Sequence, residues 1–232
     1  MGCDCTNIFK NRGYIVINID QPAVCEKPCS CLKHEGKDDI KLIVITGGPG
    51  AGKTAALEII RKQLCQHVAI LPESASIVFG GGFWRLESET AQKASQRAIF
   101  YIQREMETLA LNEKKWCIGL CDRGVLDGLA YWPGSEDEFW DLMNSDIETE
   151  YKRYHSVIHL RTPTDKMGYN NINPLRTENA EQAINIDNKI KTIWQNHPHY
   201  YQIDSTPNFV SKVQSVINIV SEVIPSCCQQ SK

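Results

Sequence analysis

A phosphate-binding loop, set between a buried strand and a helix, is the feature that most constrains what this chain can fold into. The pattern G-x-x-x-x-G-K-[ST] is matched by Gly47, Gly48, Pro49, Gly50, Ala51, Gly52, Lys53 and Thr54. The loop follows Lys41–Thr46, a β-branched run without polar alternation, which is typical of a strand buried on both faces. Glycines let the backbone amides turn inward around a phosphate, and the following helix adds its positive end. The sequence therefore predicts nucleotide phosphates bound at residues 47–54.

Two residues of this loop and two residues further along predict the chemistry of the site. Lys53 can reach the β- and γ-phosphates, and the Thr54 hydroxyl can ligate Mg²⁺. Asp122 and Arg123 end an apolar strand, where the carboxylate can hold Mg²⁺ or its water and the guanidinium can meet a transferring phosphoryl group. The alternative for Asp122 is a turn-capping role. We expect ATP and Mg²⁺ as cofactors.

A glutamate follows the second predicted strand, in Leu71-Pro72-Glu73-Ser74. Ligands of open α/β sheets sit beyond the carboxyl ends of the strands, so Glu73 is expected at the same edge as the P-loop. Its carboxylate could accept a proton from an acceptor hydroxyl. The alternative is an acid that only stabilises a helix N-terminus.

Short apolar runs alternate with helical segments from Lys41 onward, which predicts an α/β fold of the three-layer P-loop NTPase class with a five-stranded parallel sheet. The other strands are predicted at Val68–Leu71, Trp116–Cys121, Ser156–Leu160 and Tyr200–Ile203. Helices are predicted after the P-loop to about Gln66 and at residues 90–112, 136–153, 180–196 and 208–224. The apolar stripe of the long helix is expected to include Ala94, Ala98, Tyr101 or Ile102, and Leu109.

Two further segments are candidates for contact with ligands. The Asn-rich segment between Arg161 and Arg176 lacks regular periodicity, and a loop with arginines between a strand and a helix suits a lid over phosphates. A solvated connection is the alternative. On the long helix, Gln96, Arg97 and Gln103 could line an acceptor pocket, although polar residues are also common on exposed helix faces.

Composition limits the organisation and the partners of the chain. The sequence has 232 residues and a net charge of -3, so we expect no nucleic-acid partner. We divide it into a Cys-rich N-terminal extension at residues 1–37, a P-loop domain at 38–226 and a tail at 227–232. No apolar run resembles a spanning helix or a secretory signal, and the expected location is cytoplasmic.

The cysteines of the extension permit three interpretations. They could be free thiols in a poorly ordered leader. Cys25, Cys29, Cys31 and His34 could instead bind zinc, although the repeated C-x2-C pairs of most zinc sites are absent. Finally, residues 1–6 fit the myristoylation pattern M-G-x-x-x-[ST], and acylation at Gly2 and Cys3 would place the protein at a membrane.

With these motifs in view, the chain resembles the NadR/Ttd type of AAA domain, the AAA_28 family. The matching text is ITGGPGAGKT, LPESAS, QRAIFYIQ, CDRGVLDGLAYW, LRTPTDKMGYNNINPLRTENAEQAINIDNKI and NHPHYYQIDS, spread over about four fifths of the chain. The resemblance implies a nucleotide-kinase-like fold, with Glu73 as base and with Asp122 and Arg123 handling Mg²⁺ and phosphate. The arginine finger of the second conserved region of AAA ATPases is not evident, and neither is a sensor pattern, so a hexameric motor is not expected.

Two functions follow as hypotheses. The first is a Mg²⁺-dependent phosphotransferase that uses ATP and a small nucleoside- or nucleotide-like acceptor, which the lid would cover. The second is a nucleotide-gated switch or slow NTPase without such an acceptor, which membrane attachment would favour. Guanine specificity should use an N-K-x-D element after a strand, and His159-Leu160-Arg161-Thr162 lacks it, which favours ATP over GTP.

Overall fold

The computed structural model describes residues 40–64, 67–163, 179–206 and 208–224. Within these ranges, five parallel strands form a sheet in the order β2-β3-β1-β4-β5, which confirms the predicted sheet. The strands are β1 (Lys41–Thr46), β2 (Val68–Leu71), β3 (Ile118–Asp122), β4 (Ser156–Leu160) and β5 (Tyr200–Ile203). The helices are α1 (Lys53–Gln63), α2 (Ser74–Gly80), α3 (Glu89–Glu113), α4 (Glu136–Met143), α5 (Ile147–Tyr151), α6 (Ala180–Trp194) and α7 (Phe209–Val223).

The central strand β1 divides its side chains between two apolar cores. Leu42 and Val44 pack with residues of α3, α4, α6 and the 3₁₀ helix Val125–Tyr131. Ile43 and Ile45, which point to the opposite face, pack with residues of α1 and α7. Because successive side chains of a strand face opposite sides, this alternation makes β1 the middle of three layers. The predicted three-layer α/β class is therefore confirmed.

Three local predictions differ from the structure. Strand β3 runs from Ile118 to Asp122 and not from Trp116 to Cys121, and the carboxylate of Asp122 lies at its end as expected. The single helix predicted at 136–153 is two helices, because Asn144 turns left-handed with φ 49° and Asp146 caps a new helix. On α3, Tyr101 and Leu109 are exposed, whereas the buried positions are Ser95, Phe100, Gln103, Glu107 and Ala110.

Several predictions lie outside the described residues. These are the division at 1–37 and 227–232, the zinc candidates Cys25, Cys29, Cys31 and His34, the acylation candidates Gly2 and Cys3, and Arg176 of the lid. Among the described helices, none has both the length and the apolar composition that crossing a bilayer requires.

Candidate functional site

Backbone carbonyl oxygens of the P-loop bind the side chain of the loop's own lysine. Lys53 Nζ donates hydrogen bonds to the carbonyl oxygens of Gly47 at 2.8 Å and Gly48 at 3.0 Å. Gly52 adopts φ 89° immediately before α1, a left-handed conformation that side chains disfavour and glycine accepts. Lys53 and Thr54 both line the adjacent cavity. The loop therefore places Lys53 and Thr54 at the cavity, and phosphate binding by them stays a prediction.

Residues far along the chain hold the loop from outside. The Gly48 N–H donates to Asp187 Oδ1 on α6 at 2.8 Å, and Thr162 Oγ1 donates to Pro49 O at 3.3 Å. Lys212 Nζ on α7 donates to Ala51 O at 2.9 Å. Sequence analysis did not identify these contacts, because no short motif connects residues so distant in the chain.

Arg161, a predicted lid residue, lies on this outer side of the loop. Its guanidinium pairs with Asp187 Oδ2 at 3.1 Å and donates to Asn188 Oδ1 at 2.8 Å. The buried His159 reaches the other oxygen of Asp187, with Nε2 to Oδ1 at 2.9 Å. Arg161 does not line the cavity beside the P-loop. The structure therefore brings Arg161 to α6, and contact with phosphates stays a prediction.

Arg123 lies between the P-loop and Glu73, the acid that follows β2. Its Nε donates to Glu73 Oε1 at 2.7 Å, and its Nη1 donates to Gly47 O at 3.1 Å and Asp127 Oδ2 at 3.2 Å. The guanidinium also lies over the Tyr131 ring, 5.6 Å from its centre. Arg123 lines the cavity, and its Nη2 bonds none of the described residues. This nitrogen can meet a negatively charged ligand group.

Glu73 is held as a carboxylate. Burial by itself would raise its pKa, but the charges of Arg123 and Lys53, together with hydrogen bonds from Ser76 and Arg123, lower the pKa to about 2. Ser76 Oγ donates to the second carboxylate oxygen at 2.6 Å. A group with so low a pKa is a weak proton acceptor. It is, however, well suited to orient a hydroxyl group by accepting its hydrogen bond.

Asp122 has the opposite electrostatic character. Burial raises its pKa to about 6, against the attraction of Lys53, and its Oδ1 is buried without a hydrogen-bond partner. Burial likewise lowers the pKa of Lys53 to about 8. An unpartnered buried carboxylate oxygen fits a hydrated Mg²⁺, with Thr54 as the second predicted ligand. Asp122 does not itself line the cavity.

A cavity of about 490 Å³ extends from the P-loop toward α2 and α3. Near the P-loop it is lined by Glu73 and Arg123. Further away it is lined by aromatic, aliphatic and polar side chains, which include Phe79, Arg85, Leu86, Gln92, Ser95, Gln96, Ile99, Gln103 and Tyr131. This mixture of apolar surface and a few polar groups is typical of small-molecule sites.

Two of the three predicted acceptor residues line this cavity. Gln96 and Gln103 are seven positions apart and share a helix face, whereas Arg97 points elsewhere and does not line the cavity. The Gln103 amide is fixed, because its oxygen accepts from Ser74 Oγ at 2.5 Å and its nitrogen donates to Glu107 Oε1 at 2.8 Å. Its orientation toward a ligand is therefore set by the protein.

Comparison with known proteins agrees with this geometry. A family model described as an AAA domain, AAA_28, matches residues 42–211. No curated protein sequence matches the chain. Among solved structures, the thymidylate kinase from Ehrlichia chaffeensis superimposes with a TM-score of 0.53 at 14% sequence identity. The match covers 79% of this chain and 100% of the kinase chain, and at this identity it shows a common fold.

Proposed function

Because the chain belongs to the AAA_28 family of AAA domains, and its P-loop adjoins a cavity of ligand size, we propose that it is a Mg²⁺-dependent phosphotransferase. It takes ATP as donor and a small nucleoside- or nucleotide-like molecule as acceptor. The observation that carries the proposal is that Glu73 and Arg123, which bond each other, line the same cavity as the phosphate-binding loop and the residues of α2 and α3.

This position suits transfer of a phosphoryl group from one side of the cavity to the other. ATP phosphates at Lys53 and Thr54 would present the γ-phosphoryl group to Arg123, whose Nη2 has no partner among the described residues. An acceptor bound near Gln96 and the fixed amide of Gln103 would approach from the opposite side. Catalysis would then consist mainly of positioning and charge stabilisation.

The pKa of Glu73 indicates how the acceptor would be prepared. At a pKa of about 2 the carboxylate is ionised throughout the physiological range. It would accept a hydrogen bond from the acceptor hydroxyl and orient the oxygen toward phosphorus. Glu73→Gln would weaken this bond and the tie to Arg123, so we expect a large loss of transfer. Full activity in Glu73→Gln would remove this role.

Magnesium would be held by Thr54 and by Asp122, directly or through water. The ion supplies charge neutralisation between the β- and γ-phosphates when it is bound. The unpartnered oxygen of Asp122 supports this assignment. Among the described residues no cluster of three or more His, Cys, Asp or Glu side chains forms a separate metal site.

The direct test is release of ADP from Mg²⁺-ATP or of GDP from Mg²⁺-GTP, with and without a pooled panel of nucleosides, nucleoside monophosphates and ribosylnicotinamide. We expect the rate of diphosphate release to rise when an acceptor is present. This rise should be larger with ATP than with GTP and should be abolished by Lys53→Ala. Lys62→Ala is the matched control, because Lys62 is an exposed lysine on the same helix. A slow rate that no acceptor changes would instead favour a nucleotide-gated switch.

A further inference from the structure

Asp127 is a buried carboxylate that no part of the proposed mechanism has used. It lies on the 3₁₀ helix Val125–Tyr131 and is 3% exposed. Three donors converge on it: Thr46 Oγ1 at 2.6 Å, Trp194 Nε1 at 2.6 Å and Arg123 Nη1 at 3.2 Å. Thr46 is the last residue of β1 and Trp194 is the last residue of α6. Asp127 therefore links Arg123 to the ends of these two elements.

Arg123 needs such support, because its backbone conformation is unfavourable. Its φ is 75°, a left-handed value that residues with a side chain disfavour. The side chain leaves this backbone and is held by two carboxylates, Glu73 through Nε and Asp127 through Nη1. With these two nitrogens held, the remaining one, Nη2, has a defined direction.

We propose that Asp127 is a positioning residue that acts through Arg123, aiming Nη2 at the γ-phosphoryl group of the bound nucleotide. This inference rests on the proposed function for its ligand, but the orientation of Arg123 is a property of the free protein. Glu73 alone cannot fix the guanidinium plane, because it accepts only from Nε. At Nη1, Asp127 and the carbonyl oxygen of Gly47 together supply the second point of attachment.

The chemistry of the carboxylate explains why an amide cannot replace it. A carboxylate accepts hydrogen bonds at both oxygens, whereas a carboxamide accepts at one and donates at the other. Asp127 receives donors at both oxygens, from Trp194 at Oδ1 and from Thr46 and Arg123 at Oδ2. In Asp127→Asn, at least one of these donors would face an NH₂ group.

The first measurement uses protein without nucleotide. In ¹⁵N NMR spectra, the Nη1–H of Arg123, the group that donates to Asp127, should give a slowly exchanging signal, identified by its loss in Arg123→Ala. We expect this signal to exchange rapidly in Asp127→Asn and to persist in Trp194→Phe, which removes another donor from the same carboxylate. An unchanged Nη1–H signal in folded Asp127→Asn would overturn the proposal.

The second measurement connects the position of Arg123 to the ligand. Calorimetric titrations would compare Mg²⁺-ADP with AMPPNP, an ATP analogue that keeps the γ-phosphoryl group. Asp127→Asn should weaken AMPPNP binding about 10-fold while changing ADP binding less than about twofold, and Arg123→Ala should do the same. In the double variant the two losses should not add, because both remove the same contact.

Additive losses, or equal losses for ADP and AMPPNP, would show a merely structural role for Asp127 and refute the proposal. If Asp127→Asn does not fold, Asp127→Glu serves in its place, since it keeps the charge and both acceptor oxygens; it should retain both the Nη1–H signal and the AMPPNP preference. A wild-type protein that binds neither nucleotide would refute the proposed function, while the NMR signal would still decide the role of Asp127.

Discussion

At the scale of single residues, the site holds one carboxyl group that folding makes less acidic and another that folding makes more acidic. Asp122 has a pKa raised to about 6 by burial, and Glu73 has a pKa lowered to about 2 by Arg123 and Lys53 in spite of burial. Opposite shifts of neighbouring acids are a mark of functional sites. They also make the two residues respond differently to pH and to substitution.

Asp122 is expected to destabilise the metal-free protein when ionised. The pKa of this carboxyl group is 3.8 in the unfolded chain and about 6 in the folded protein, so the folded protein binds the proton more tightly. Protonation therefore stabilises the fold, and this stabilisation is lost as pH rises through about 6. At pH 8 without Mg²⁺, Asp122→Asn should therefore raise the melting temperature by about 2–6 °C. Thermal denaturation measured from pH 4 to pH 8 tests this prediction.

The gain from Asp122→Asn should shrink as pH falls from 6 to 4, because the carboxyl group becomes neutral in the folded state. A gain that stays constant over this range would contradict a buried charge as its cause. The same variant should lose Mg²⁺-dependent nucleotide binding, so stability and function would change in opposite directions.

At this scale, much of the site could be predicted from the sequence. The P-loop motif fixes its own local geometry, so Lys53 and Thr54 could be assigned from spacing alone. Asp127 could not, because its role depends on Arg123 and on residues from two distant elements. The spacing of four residues from Arg123 was the one available signal, and a buried acid in an apolar segment does not by itself indicate its partner.

At the scale of secondary structure elements, α3 shows where hydrophobic periodicity misleads. Its buried face includes Gln103 and Glu107, while Tyr101 and Leu109 are exposed. Glu107 is tolerated there because Gln103, Arg153 and Tyr154 all donate to its carboxylate. A buried polar group with its hydrogen bonds satisfied carries no apolar signal, so the sequence pattern left out Gln103 and Glu107 and wrongly included Leu109. The predicted Ala94, Ala98 and Ile102, by contrast, are half-buried.

Two truncations on α3 distinguish the observed face from the predicted one. Phe100→Ala removes a ring that is 2% exposed, and we expect it to lower the free energy of unfolding by about 3–5 kcal/mol. Leu109→Ala shortens a side chain that is 60% exposed and should change the free energy of unfolding by less than about 0.5 kcal/mol. Urea denaturation of both variants at one pH would make the comparison, and equal losses would contradict the observed face.

At the scale of the whole molecule, the second half of the chain braces a loop that belongs to the first half. The strand order places β1 between β3 and β4, so residues that follow β4 reach the P-loop. Thr162 contacts the loop directly after β4, and Asp187 and Lys212 contact it from α6 and α7. The alternating pattern predicted the layers and the sheet, but contacts across more than a hundred residues leave no local signature.

At Gly48, the contacts from the second half of the chain leave no room for a side chain. A Cβ at Gly48 would lie 2.6 Å from Thr162 Oγ1 and 2.7 Å from Asp187 Cβ. Gly48→Ala should therefore displace the loop and weaken nucleotide binding by at least about 10-fold, as measured by calorimetry. Gly80→Ala is the control, since a Cβ there meets no atom within 4 Å, and its affinity should match wild type. Normal binding by Gly48→Ala would show that the loop does not depend on this close contact.

The hydrogen bonds from Lys53 to Gly47 and Gly48 have a consequence for affinity. A free lysine side chain loses about 2 kcal/mol of rotamer entropy when it is immobilised. In this protein the carbonyl oxygens of Gly47 and Gly48 hold the buried ammonium group in place, so association exchanges carbonyl partners for phosphate oxygens. The entropy of ordering the cation is lost during folding and not during binding, which leaves more of the phosphate interaction to appear as affinity.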